Sequence, residues 1–301
     1  MKAKNLIIRT MLSILLPIYN FDCRPLVEDL HQQCQKSLQA FEIICFDDCS
    51  TLFFQDLNKN LNRLSGVQYR VLPQNVGRSK NRNLLAEAAK YPYLLFMDGD
   101  SGVVRTDYVE KYLSHASINR VLYGGTFYQP SPPSNSDYLL HWKVGSEREQ
   151  MSAAVRQTKP YSRFTTNNFL VPKAIFQSIR FEEKLRQYGH EDTLFAQALK
   201  QQDIPIVHLD NPLEHLGLEV AEVFLAKSEK AIENLVLMAQ AEMPIETRLY
   251  SAFLKLKRYK LNSLYLLFFR LFKSMLRAKL LGTNPNLKFF DFYKLGLLCE
   301  K

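Results

Sequence analysis

Four strand-like segments in the first hundred residues, separated by helix-like segments and ending in polar or acidic residues, constrain this chain more than any other feature. Ser13-Ile-Leu-Leu-Pro-Ile18 reads as a buried strand. Pro25 opens a helix whose apolar residues Leu26, Leu30, Cys34 and Leu38 recur every four positions. Glu42-Ile-Ile-Cys-Phe46 is a second strand that stops at Asp47-Asp48, and a polar helix follows. Val67 to Leu72 makes a third strand, Asn75-Val-Gly77 a turn, and Arg78 to Lys90 a helix with Leu84, Leu85, Ala88 and Ala89 inward. Tyr93-Leu-Leu-Phe-Met97 is a fourth strand and ends in Asp98-Gly99-Asp100. A β–α rhythm of this kind predicts an α/β fold, a mostly parallel sheet flanked by helices. In such sheets ligands bind beyond the carboxyl ends of the strands, which is where these acids fall.

The pattern then loosens. A loop with Pro130, Pro132 and Pro133 leads into a segment carrying Tyr138 and Trp142. Asn168-Phe-Leu-Val171 reads as a strand, Tyr188-Gly-His190 as a turn, and Glu191 to Lys200 as a helix. Leu209 to Glu214 reads as a loop around Pro212, with His215 after it, and Glu219 to Ala239 as a closing helix. With 47% hydrophobic residues in 301, the chain can bury the core of one large domain or of two that share an interface. The five cysteines, Cys23, Cys34, Cys45, Cys49 and Cys299, form no CxxC pair and read as buried thiols of a cytosolic protein.

Charge is concentrated at one end. From Glu246 onward there are twelve Lys or Arg against three acids, which accounts for the whole formal charge of +9. A neutral body with a basic tail argues against nucleic acid as the partner. Lys255, Lys257, Arg258 and Lys260 are followed by Arg270, Lys273, Arg277 and Lys279, which line one helical face, with Leu266, Phe269, Met275 and Leu280 elsewhere. Residues 255–281 therefore suit an anionic membrane surface, or alternatively pack an apolar face on the body. Neither Leu12–Ile18 nor Leu264–Phe269 is long enough for a secretory signal or a span. The expectation is a cytoplasmic protein that can sit peripherally on the inner face of a membrane.

Two carboxylates spaced like Asp98 and Asp100 point the same way from an extended strand and can address one Mg²⁺ or Mn²⁺. Turn chemistry alone also favours such acids. The ordered set Pro17-Ile-Tyr-Asn20, Phe46-Asp-Asp48, Asn75-Val-Gly77 with Arg82-Asn83, and Met97-Asp-Gly-Asp100 resembles the family 2 inverting glycosyltransferases across residues 12–220. Gly189-His-Glu-Asp192 resembles that family's acidic acceptor motif, and Asn211-Pro-Leu-Glu-His215 its later histidine.

The resemblance implies a GT-A fold with a nucleotide-sugar-binding half at 1–105 and an acceptor-binding half at 106–220; the charge and pattern of the tail make 221–301 a helical basic region. It implies a donor site of Pro17, Tyr19, Asp48, Arg82 and Asp98; helical spacing adds Arg78, which shares the Arg82 face and suits a diphosphate, and Asn168 before a strand reads as a sugar contact or, alternatively, a turn residue. Asp98, Asp100 and His215 would serve the metal. Asp192 would be the general base and Glu191 would orient the acceptor, although acids opening a helix are also favoured by its dipole. The donor would be a nucleotide-diphosphate sugar, UDP by resemblance, and the acceptor a saccharide or a lipid-linked saccharide. Cys49 and Ser101 depart from the family pattern, which has Gly and Asp there. A nucleotidyltransferase would also need metal-binding carboxylates, but no Gly-rich, Lys-bearing loop follows the first strand. A silent sugar-nucleotide-binding or membrane-scaffold protein would not require Asp192.

Overall fold

The computed structural model describes residues 11–37, 40–183, 189–243 and 245–301. Leu38 and Tyr188, which the sequence assigns to a helix and a turn, lie outside them.

The strands are β1 (Met11–Ile18), β2 (Ala40–Asp47), β3 (Val67–Val71), β4 (Tyr93–Met97), β5 (Ser101–Val103), β6 (Val121–Tyr123), β7 (Thr126–Phe127), β8 (Asn168–Pro172), β9 (Ile206–His208) and β10 (Leu213–His215). Seven of them form one sheet in the order β3-β2-β1-β4-β8-β6-β9. All pairings are parallel except those of β8, which runs against both β4 and β6. The mostly parallel α/β sheet expected from the sequence is therefore present. The reversal of β8 brings its first residue, Asn168, opposite Met97 at the carboxyl edge of β4.

Strand alternation builds a core on each side of this sheet. Leu12, Ile14 and Leu16 join Leu26, Leu30 and Cys34 of the Arg24–Ser37 helix on one face. Leu15, Phe46, Leu94 and Phe96 point to the other, where Phe96 stacks on Phe169 at 4.9 Å between ring centres. Phe181 and Phe195 stack in the same core at 4.6 Å.

A second, three-stranded sheet, β5-β10-β7, has no counterpart in the sequence reading. The loop expected over Leu209–Glu214 is a strand from Leu213. Pro212 stands just before it and removes no ladder donor, and Leu213 is buried.

The chain divides into two compact units. The first comprises residues up to Phe127, Met151–Arg186 and Phe195–Gly217, and holds both sheets. The second comprises Tyr128–Gln150, Gln187–Leu194 and Leu218–Lys301. In it the helices Leu139–Val144, Ala221–Gln240, Asn262–Leu280 and Leu287–Glu300 bury Leu140, Leu225, Phe269, Leu276, Phe290 and Tyr293 together. The sequence puts Arg270, Lys273, Arg277 and Lys279 on one outward face. Instead Lys273 pairs with Glu300 at 2.7 Å and Arg277 pairs with Glu222, so both turn toward their own unit.

Candidate donor and metal site

Within the first unit, the carboxyl ends of β1, β2 and β4 meet at one rim. The Asp48 amide donates to the Ile18 carbonyl at 2.8 Å, and the Asp98 amide to the Asn167 carbonyl at 3.1 Å. Gly99 makes the approach possible. A Cβ there would overlap the Ile18 side chain and crowd the Pro17 carbonyl. Pro17 is half-buried at this rim, and Tyr19 is 57% exposed just beyond it.

Asp48 is buried and accepts from the Val76 amide at 2.6 Å and the Gly77 amide at 2.9 Å. The Asn75 amide group donates to the Asp48 carbonyl at 3.1 Å. The aspartate after β2 thus fastens the Asn75-Val-Gly77 turn, and its conformation is fixed before any ligand arrives. Burial pushes its carboxyl up from the ordinary range, and the two amide donors oppose that. Cys49, the next residue, has φ 62°, in the left-handed region that favours glycine. It is exposed, unlike the buried thiols of Cys23, Cys34 and Cys45.

Arg78 and Arg82 lie one turn apart on the Arg78–Ala88 helix but have different surroundings. Arg78 is exposed. Arg82 is 2% exposed, donates to Asp98 at 2.6 Å, and stands over the Phe181 ring at 5.5 Å. A buried guanidinium in a charge-assisted bond acts first as a brace for the strand-end carboxylate.

Asp100 points elsewhere. Its carbonyl accepts from the Leu216 amide at 2.9 Å, and one carboxylate oxygen, Oδ1, is buried without a hydrogen-bond partner among the described residues. That oxygen is 4.0 Å from Nδ1 of His215. Burial raises the carboxyl most, His215 lowers it, Asp98 raises it and Arg78 lowers it. Gly217 completes the recess, since a Cβ there would overlap the Asp100 carboxylate. Antiparallel pairing of β10 with β5 sets this up by placing His215 opposite Ser101.

The three residues named for a metal therefore do not form one three-ligand set. Among the described residues no group of three His, Cys, Asp or Glu is arranged to hold an ion, and one oxygen of Asp98 is committed to Arg82. Asp100 and His215 fit a cation better, as a buried carboxylate oxygen without a partner and a facing imidazole.

Asn168 is not free to touch a sugar. Its Oδ1 accepts from the Tyr108 hydroxyl at 2.5 Å and the Tyr112 hydroxyl at 2.7 Å. Its Nδ2 donates to the carbonyls of Gly125 at 2.7 Å and Asn211 at 3.0 Å. All four hydrogen-bonding positions of the amide are engaged in the core.

The sequence reading missed Arg156. Buried in the first unit, it donates to the carbonyls of Gly124 at 2.9 Å and Leu209 at 2.6 Å, and to Nδ1 of His208 at 3.2 Å. It ties the end of β9 to the turn after β6, upstream of β10. The Gly124-Gly125 pair was the available signal, since both approach buried side chains closely.

Glu191 and Asp192 belong to the second unit and open the Glu191–Gln201 helix. Oδ1 of Asp192 accepts from the Thr193 amide at 2.7 Å. The preceding turn is held by Asn234, whose Nδ2 donates to the Gly189 carbonyl at 3.1 Å. Burial lowers the His190 imidazole and Glu191 opposes it. Trp142, in the same unit, donates to the Gln129 carbonyl at 2.8 Å.

Comparison with known proteins adds three observations. The family description for glycosyl transferase family 2 matches residues 13–180. A curated relative from Haemophilus influenzae, described as an uncharacterized glycosyltransferase, is 29% identical over 113 residues, which cover 37% of this chain and 44% of that protein. The chain thus spans less than half the length of this relative. Among solved structures, S. aureus TarS 1–349 has 18% identity and a TM-score of 0.50, covering 74% of this chain and 64% of that one. A mannosyltransferase from Pyrobaculum calidifontis, solved with GDP-Man and Mn²⁺, has 10% identity and a TM-score of 0.50, covering 78% and 65%. Both likenesses are of fold, and the fold is of the GT-A type.

Proposed function

Because the chain belongs to glycosyl transferase family 2, we propose that it transfers a sugar from a nucleotide-diphosphate donor to an acceptor hydroxyl with inversion at the anomeric carbon. The observation that carries this reading is the rim itself. Asp48, Asp98 and Asp100 stand at the carboxyl ends of a mostly parallel sheet, each in a different and fixed environment.

In this reading Pro17, Tyr19 and Asp48 receive the nucleoside. Asp48 is pinned by two amides and so presents a fixed acceptor to the base. Arg82 braces Asp98 toward the ribose, and exposed Arg78 meets the diphosphate. A divalent cation, Mg²⁺ or Mn²⁺, would be held by Asp100 and His215, and it would offset negative charge on the departing nucleotide diphosphate. The GDP-Man and Mn²⁺ of the Pyrobaculum calidifontis mannosyltransferase make GDP the alternative to UDP.

Asp192 is the general base. It takes the proton of the acceptor hydroxyl while that oxygen forms its bond to the anomeric carbon, and the bond to the diphosphate oxygen breaks on the opposite face. Glu191 orients the acceptor. One displacement inverts the configuration and requires no covalent intermediate. The acceptor is a saccharide or a lipid-linked saccharide. The nucleotide-binding role falls to 1–105, the acceptor role to 106–220, and 221–301 is the helical basic region.

Calorimetry with UDP and with GDP, with and without Mn²⁺, tests the donor half. Tight binding of one nucleotide that depends on metal and is lost in Asp100→Asn supports it. Well-folded protein that binds neither refutes it. Asp192→Asn should keep nucleotide binding and lose turnover by at least about a hundredfold.

A further inference from the structure

The Asn262–Leu280 helix is apolar on two sides. At about 100° per residue, Tyr265, Phe269, Leu276 and Leu280 share the side that packs with Leu225, Phe290 and Tyr293. The other side is Leu264, Leu267, Phe268, Leu271, Phe272 and Met275. These recur at three- and four-residue steps over an arc of about 140°. They are 45–69% exposed. Single exposed apolar residues are ordinary, whereas six in one stripe mark a surface that something covers.

Charge identifies the cover. Between Arg248 and Lys279 the sequence carries nine Lys or Arg and no acid. Lys273 and Arg277 are taken by acids of their own unit. Arg270 and Lys279 lie beside the outward stripe. Lys255, Lys257, Arg258 and Lys260, on the Arg248–Arg258 helix and the turn after it, are exposed. None of these six is in a salt bridge among the described residues. A second copy would bring the same six cations to the contact, so pairing through this surface would be repulsive. No described helix is long and apolar enough to cross a membrane.

We propose that this surface docks on an anionic phospholipid bilayer, with the six apolar side chains entering the headgroup boundary and the six cations meeting lipid phosphates. The protein's own core replaces the water-facing side of an isolated amphipathic helix, so the helix is formed before it meets lipid. The proposal rests on the second unit alone and does not depend on the donor site.

Sedimentation of the full chain with vesicles of phosphatidylcholine alone, or mixed with phosphatidylglycerol, tests it. Binding should need the anionic lipid and weaken steeply with salt. Leu271→Ser with Phe272→Ser should reduce it by about tenfold or more. Arg270→Gln with Lys279→Gln should reduce it at low salt. All four residues are exposed, so circular dichroism and UDP binding should be unchanged in these variants. No sedimentation with anionic vesicles, or equal sedimentation with neutral ones, overturns the proposal. So does self-association without lipid that Leu271→Ser abolishes, which would assign the stripe to a second copy.

Discussion

Acidification from about pH 7.5 to about pH 5 should destabilise this protein through one buried pair, His208 and Arg156. Nδ1 of His208 accepts from Arg156 at 3.2 Å and Nε2 faces the Pro160 carbonyl at 3.0 Å. The neutral ring with its proton on Nε2 satisfies both contacts. A second proton on Nδ1 would set a cation against a guanidinium in the core. Burial is the larger cause and the arginines add to it. Together they push the imidazole from 6.5 down to about 4, against the resistance of the Pro160 carbonyl. The folded-state value is depressed, so the stabilisation is whole above the unfolded value and is lost as pH falls from 6.5 toward 4. The full difference corresponds to about 3 kcal/mol, and about 2 kcal/mol of it is gone by pH 5. Urea unfolding at both pH values reads this directly, and His208→Gln, which cannot titrate, is the control. The variant should be less stable at neutral pH but should lose about 2 kcal/mol less than the wild type between the two conditions. Equal losses in both proteins would refute the reasoning, because other groups, His190 included, titrate alike in the two.

Gly217→Ala should push the Asp100 carboxylate aside and weaken metal-dependent nucleotide binding by about tenfold, with little change in melting temperature; an unchanged calorimetric Kd would contradict the assigned recess. Asn168→Ala strands the Tyr108 and Tyr112 hydroxyls in the core and should cost about 2–4 kcal/mol in denaturant unfolding. The protein that remains folded should bind the nucleotide-diphosphate sugar as tightly relative to the free nucleotide as the wild type does, which a sugar-contacting Asn168 would not allow. Cys49→Gly relieves a left-handed backbone and should stabilise by up to about 1 kcal/mol, read as a higher thermal midpoint.

The first four strands were legible because three are short apolar runs bounded by polar residues and the third, Val67–Val71, alternates apolar and polar residues. Parallel order follows once helices separate such runs. The small strands β5, β7 and β10 were not, since two or three residues carry no usable period and their pairing is set by partners distant in sequence. The acids at the rim could be found by position, but their partners could not. Helical spacing puts Arg78 and Arg82 on one face, yet only the fold decides that Arg82 is buried against Asp98. Asn168 at a strand start reads as a sugar contact or a turn residue, and only the fold brings Tyr108 and Tyr112 to it from the Tyr108–His115 helix. In the tail, Arg270, Lys273 and Arg277 share one side by their spacing, whereas Lys279, two residues on, falls nearly opposite. Which side faces outward depended on Glu222 and Glu300, whose places no local period reveals.

The reversed strand β8 has a consequence for expression and synthesis. β4 is central: its side chains enter the cores on both faces, and its backbone pairs with β1 on one edge and with β8 on the other. A fragment ending near residue 105 keeps β4 but lacks β8, leaving the Tyr93–Met97 backbone as an open edge with Leu94, Leu95 and Phe96 around it. Open apolar edges recruit other chains. A nascent chain is in the same condition until Pro172 has left the ribosome. A fragment of residues 1–105 should therefore aggregate when produced alone, and a useful truncation must extend past β8.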